Sequence, residues 1–117
     1  MEHNEEVMDI GDTPIGNYGA KCVAAVITLC DHLKEIRLSG CNIKDEGAIA
    51  IFDELKSSES VTHLDLNSNE ITERSFDSLV QLLTVNKSIK RIELKGLIIK
   101  NKFTLNRLKR FGDRVST

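Results

Sequence analysis

The residues able to do chemistry fall into rows, not compact motifs. Glu35, His63 and Arg91 stand at matched spacing, as do Asp9, Arg37, Asp65 and Glu93, followed by Gly11, Ser39, Asn67 and Lys95. A histidine between a carboxylate and a guanidinium invites a proton-transfer or metal reading. Zinc-type sites, however, draw on His/Cys clusters, and His3, His32 and His63 are scattered along the chain. No P-loop, GxGxxG, GxSxG or HExxH stretch is present. Cys22, Cys30 and Cys41 cannot all pair and none stands in a CxxC spacing, so they read as small, mostly buried apolar residues. What remains is charge. Arg37 lies between Asp9 and Asp65, Asp65 lies beside Glu93, and Glu35–His63–Arg91 reads as a salt-bridged row. Opposite charges across neighbouring strands contribute about 0.2–1 kcal/mol each. The rows therefore read as a solvated face that can also dock a protein, with no catalytic residue, metal or cofactor.

The elements that must hold these rows recur. LKEIRLSGCNI (Leu33–Ile43) returns as VTHLDLNSNEI (Val61–Ile71) and IKRIELKGLII (Ile89–Ile99), a period of 28 residues (61 − 33 and 89 − 61). EEVMDIGDTPI (Glu5–Ile15) is a weaker copy that keeps Met8, Ile10 and Ile15. A fixed period of this size marks stacked structural units. Within each, strand alternation sends Ile36 and Leu38, Leu64 and Leu66, or Ile92 and Leu94 inward and the charged rows outward. Helices are expected over Gly19–Cys30 with Val23 and Ile27 inward, and over Gly47–Ser58 with Ile51 and Leu55 inward. A third runs from an N-cap at Thr72 to Val85 with Phe76, Leu79 and Leu83 inward. The last spans Lys100–Phe111, with Phe103, Leu108 and Phe111 in the core and Gly112 as its stop. Asn69 is placed to satisfy backbone groups of adjacent turns. Cys41 and Leu97 hold its position in the flanking copies.

These features define an α/β chain: a short curved solenoid of about four strand-helix units, with a parallel sheet on the concave face and helices on the convex face. The expected division is an acidic lead-in at 1–6, a repeat domain at 7–112 and a tail at 113–117. The units span about 5–32, 33–60, 61–88 and 89–112.

With PIGNYGA, NIKDEGA and LLTVNKSIKRIEL, the sequence resembles leucine-rich repeats of the ribonuclease-inhibitor type over 5–111. The resemblance implies a protein-binding scaffold. Its members include the ribonuclease inhibitor, the ligand-sensing ends of NOD-like receptors, activators of the Ran GTPase and the actin-capping end of tropomodulin. The NKS phrase and short terminal helix are similar to that last member, which makes a cytoskeletal, actin-capping module the alternative. No functional residue carries over individually, because the shared motif is structural.

Charge is segregated. Residues 1–86 carry 16 acidic and 6 basic residues, whereas residues 87–117 carry 10 basic and 2 acidic. Terminal repeats need a polar outer face, yet this excess goes further and points to a partner. Lys100, Lys102 and Arg110 join Glu35, Arg37, His63, Asp65, Asn67, Arg91, Glu93 and Lys95 as candidate partner-binding residues. An acidic protein, anionic lipid or the acidic first unit of another copy would suit them. Nucleic acid suits them least, since the segment has no tyrosine or tryptophan to stack on bases. Val26 and Leu29 give the first helix extra apolar surface, expected to be covered by Met1–Glu6 or by a second molecule. No apolar run approaches the ~20 residues of a membrane span, and no signal peptide is visible. A cytoplasmic protein is expected, with nuclear or cytoskeletal association open.

Overall fold

In the computed structural model, which describes residues 6–117, each repeated phrase supplies a three-residue strand centred on one apolar side chain, and a helical stretch follows it. In chain order these are β1 (Val7–Asp9), α1 (Gly16–Leu29), β2 (Glu35–Arg37), α2 (Asp45–Leu55) and β3 (His63–Asp65). A 3-10 turn (Glu73–Ser75) then leads into α3 (Phe76–Val85), followed by β4 (Arg91–Glu93). Further 3-10 turns (Lys102–Leu105 and Gly112–Arg114) flank α4 (Asn106–Lys109), and β5 (Val115–Ser116) closes the order. All strands form one parallel sheet in the order β1-β2-β3-β4-β5. Val7 pairs with Glu35, Glu35 with His63 and His63 with Arg91, an offset of 28 at each step (35 − 7, 63 − 35 and 91 − 63). The expected register is the observed one.

The middle residue of each strand carries the packing. Ile36, Leu64 and Ile92 are buried, as are Leu38, Leu66 and Leu94 just beyond the strands. Val23, Ile27, Ile51, Leu55, Phe76, Leu79 and Leu83 meet them from the helices, all buried as their spacing requires. Stacking matters because no single unit can enclose its own apolar face. Gly47 lets α2 approach α1: a Cβ there would stand 2.8 Å from the Ala20 side chain.

A second set of contacts fixes where each helix starts. Asn17 Oδ1 accepts from the Lys44 and Gly47 amides at the head of α2, at 2.9 and 3.0 Å. One unit on, Asp45 accepts from the Thr72 amide (2.9 Å) and the Thr72 and Ser75 hydroxyls (both 2.6 Å). Glu73 repeats the pattern on the Lys100 amide (3.0 Å) and the Thr104 hydroxyl (2.9 Å). Each acceptor satisfies donors that a helix start leaves unpaired, and it does so across the unit boundary. Thr72 adds the expected local cap by accepting from the Arg74 amide at 3.1 Å.

The structure departs from expectation chiefly at the two ends. The segment expected as one helix over Lys100–Phe111 is broken into 3-10 and short α pieces. Phe103 is 79% exposed, not in the core. Thr104 bonds Glu73 as Ser75 bonds Asp45, and the Phe103 amide donates to the cap at Asn101 as that of Arg74 does to Thr72, so Phe103 falls at the outward place of exposed Arg74. Residues 113–117 are not a free tail, since Val115 and Ser116 pair with Ile92 and Glu93 as a fifth strand. Of the cysteines only Cys41 is buried; Cys30 is half-buried and Cys22 exposed, because Cys22 lies on the outward face of α1. Leu29 stays 83% exposed, so residues 6–117 leave it uncovered, and cover by Met1–Glu5 lies outside the described residues. No described helix is long and apolar enough to cross a membrane.

Candidate protein interface

The strand alternation that buries Ile36, Leu64 and Ile92 turns the residues on either side of them to the open face of the sheet. Glu35, Arg37, His63, Asp65, Arg91 and Glu93 are thus brought together by the ladder itself, with Asn67 and Lys95 directly beyond. Arg37, His63, Arg91 and Lys95 are exposed, while Glu35, Asp65, Asn67 and Glu93 are half-buried among them.

The pairing within this face differs from the expected rows. Glu35 bonds Arg37 on its own strand, Nε to Oε2 at 2.6 Å, instead of reaching across to His63. Arg91 and Glu93 stand 4.0 Å apart, also along one strand. His63 Nδ1 pairs with the Thr62 hydroxyl at 2.9 Å. The Glu35–His63–Arg91 salt-bridged row is therefore not formed. Residues two apart on one strand share a face, and the long Arg side chains fold back to the nearer carboxylate. Across strands, Arg37 has Asp9 at 3.9 Å. Glu35, by hydrogen bond and by charge, then Asp9 and Asp65 by charge, hold the guanidinium more firmly in its charged form than usual.

Beyond the strands the face is locked by amides. Asn67 Oδ1 accepts from the Lys95 amide at 2.8 Å, and its Nδ2 donates to Glu93 at 3.1 Å. The Asn67 amide in turn donates to Asp65 at 2.9 Å. Below it, Asn69 is buried and uses both ends of its side chain. Its Oδ1 accepts from the Cys41 and Ile43 amides at 3.0 and 2.9 Å. Its Nδ2 donates to the carbonyls of Leu38, Leu66 and Asn67 at 2.8, 3.1 and 3.2 Å. At the preceding Asn-like position the Cys41 thiol donates to the Ile10 carbonyl (3.2 Å), and burial pushes this thiol up.

Lys100, Lys102 and Arg110 are not part of this face. All three are exposed in the last unit, Lys102 opening its 3-10 turn and Arg110 standing 4.9 Å over the Phe111 ring. Asn86 and Arg114 emerge as residues with unforeseen structural roles. Buried Asn86 bridges α2 and α3 through the Leu55 and Ser58 carbonyls, and half-buried Arg114 grips the carbonyls of Leu83, Asn86 and Ile89. The sequence signal for both is spacing: Asn86 stands 28 residues after Ser58 (86 − 58), and Arg114 stands 28 after Asn86 (114 − 86).

The repeat geometry has a counterpart among known proteins. The family model described as Leucine Rich repeat matches residues 29–52 and 57–74. Those two stretches of the chain are similar to leucine-rich repeats. The repeats superpose on a solved structure of leiomodin-1 actin-binding site 2 with a TM-score of 0.83 at 19% sequence identity. That match covers 91% of this repeat chain and 62% of the leiomodin chain, so the repeats here span less than two thirds of it. No curated protein matches the sequence.

Proposed function

We propose that this chain is a non-catalytic protein-interaction module, of the ribonuclease-inhibitor type of repeat, that binds its partner on the concave strand face. The observation that carries the reading is the bracing of that face. Arg37 is held between Glu35 and Asp9, and Asn67 is tied to Glu93 and to the Lys95 amide. Side chains fixed before a partner arrives lose little entropy on binding. The basic last unit, through Lys100, Lys102 and Arg110, serves to attract an acidic region of the same partner. The cytoplasm is the compartment we assign to this activity.

The test is affinity capture from a native lysate, run in parallel with the wild-type chain and an Arg37→Glu/Asp65→Arg variant, with mass spectrometry of both eluates. A partner retained by the wild type and lost from the variant supports the concave face. The same proteins on both columns contradict it.

A second reading is a cytoskeletal, actin-capping module, favoured by the fold likeness to leiomodin-1 actin-binding site 2. Saturable co-sedimentation with actin filaments, or slowed filament elongation at substoichiometric amounts, would support it. Neither effect up to high micromolar chain would remove it.

A further inference from the structure

Each helix end in this stack presents two carbonyls to the unit that follows, and the occupant of that carbonyl pair changes along the chain. At the end of α2, the Leu55 and Ser58 carbonyls receive the Asn86 side-chain amide at 2.6 and 2.8 Å. At the end of α3, the Leu83 and Asn86 carbonyls receive the Arg114 guanidinium at 2.9 and 2.6 Å, with its Nε on the Ile89 carbonyl at 3.0 Å. One repeat earlier, the corresponding carbonyls belong to Ile27 (55 − 28) and Cys30 (58 − 28) at the end of α1. There the place of Asn86 is taken by Ser58.

Ser58 performs only half of the task. Its hydroxyl accepts from the Ser60 and Val61 amides at 3.4 and 3.2 Å, as Asn86 Oδ1 accepts from Ser88 and Ile89 at 2.7 and 3.1 Å. A hydroxymethyl group has no second arm to reach back across the unit boundary. Among the described residues, no donor outside α1 reaches the Ile27 or Cys30 carbonyl. A groove of about 530 Å³ lies there, lined by Ile27, Cys30 and Ser58, as one of about 580 Å³ lies at the next boundary beside Asn86. Asp31, Glu54 and Glu59 stand around it against one cation, Lys34.

We propose that this groove takes the guanidinium of an arginine presented by a partner protein. The internal precedent is Arg114, which fills the same carbonyl pair two repeats further along. A planar fork of N–H donors meets two carbonyls at once, and the aliphatic stem can lie along Ile27. The surrounding carboxylates strengthen such hydrogen bonds by making the donor's charge welcome. A lysine ammonium supplies the charge without the fork, and citrulline supplies a planar donor set without the charge. The site lies on the turn edge of the stack, so it stands or falls separately from the concave face.

The test is a nuclear magnetic resonance titration of the full chain with three short peptides that differ only in one residue: arginine, citrulline or lysine. The arginine peptide should give saturable amide shifts confined to Cys30, Asp31 and Ser58–Val61, with binding about tenfold weaker for the other two because charge or fork is lost. Ser58→Asn should fill the pair from within, raise the melting temperature and abolish the arginine shifts. No saturable shift with the arginine peptide overturns the proposal. So does equal binding of all three peptides, or shifts that persist in a folded Ser58→Asn chain. If that variant does not fold, the three-peptide comparison on the wild type decides alone.

Discussion

Asn69 does for its neighbours what neither strand nor helix can. Its five hydrogen bonds close two adjacent turns, so Asn69→Ala leaves several buried groups without partners. Each such group costs about 1–3 kcal/mol, and a total loss of about 3 kcal/mol is expected in chemical denaturation. Leu64→Ala should cost about 2–5 kcal/mol through its cavity. Asp65→Ala, on the open face, should cost under ~1 kcal/mol. Equal losses at Leu64 and Asp65 would place the strand one residue out of register. Asn69 was legible because it stands inside the repeated phrase, and so was the inward set Ile36, Leu64 and Ile92. Asn86 and Arg114 were not, because their roles depend on carbonyls that the preceding unit contributes. Ion pairing on the open face was also misread. Spacing shows which residues are lateral neighbours but not which carboxylate a long guanidinium will choose.

The helices show how a unit depends on the one before it. α2 and α3 are capped by Asn17 and Asp45, respectively, from the preceding units, and both formed close to where their periodicity put them. The last unit did not, since Leu108 is the only buried apolar side chain in its helical segment and Arg107 turns outward to Asp77 at 2.6 Å. Its start rests on Glu73. First the Lys100 amide, then the Thr104 hydroxyl, hold this carboxyl below its ordinary range. A depressed folded-state pKa contributes stability in full above the ordinary carboxylate value, and that stability is lost as pH falls through the lowered one. Acid should therefore release the last unit before the middle of the stack. Amide exchange at Lys100 and Thr104 should accelerate on acidification beyond its intrinsic pH dependence, while Leu64 and Ile36 stay protected. Glu73→Gln should remove that extra dependence. Uniform loss of protection along the chain would contradict it.

Across the whole molecule the acidic units and the basic last unit sit at opposite ends of a body 47 × 29 × 19 Å in extent. Exposed charges so arranged act over a distance set by salt, with a Debye length of ~8 Å at physiological ionic strength. Once a partner is in hand, Lys100→Glu, Lys102→Glu and Arg110→Glu together should slow association and flatten its salt dependence, leaving dissociation nearly unchanged. At the other end, Leu29 and Tyr18 are 83% and 81% exposed on α1. If this surface pairs with a second copy, light scattering should show a dimer that Val26→Glu/Leu29→Glu dissolves. A monomer in both chains at every concentration would exclude that pairing. The solenoid, its register and its polar face were readable from a 28-residue period. The partner was not, because a repeat specifies stacking, whereas recognition rests on side chains that stacking leaves free. The decisive measurement is the dissociation rate of the captured partner from three chains: wild type, Arg37→Glu/Asp65→Arg on the concave face, and Asp53→Lys/Glu54→Lys/Gln81→Glu on the convex helices. The concave variant should release the partner about tenfold or more faster, as expected when about 1.4 kcal/mol of binding is lost, with the convex variant matching the wild type. Faster release from the convex variant alone would contradict binding on the strand face.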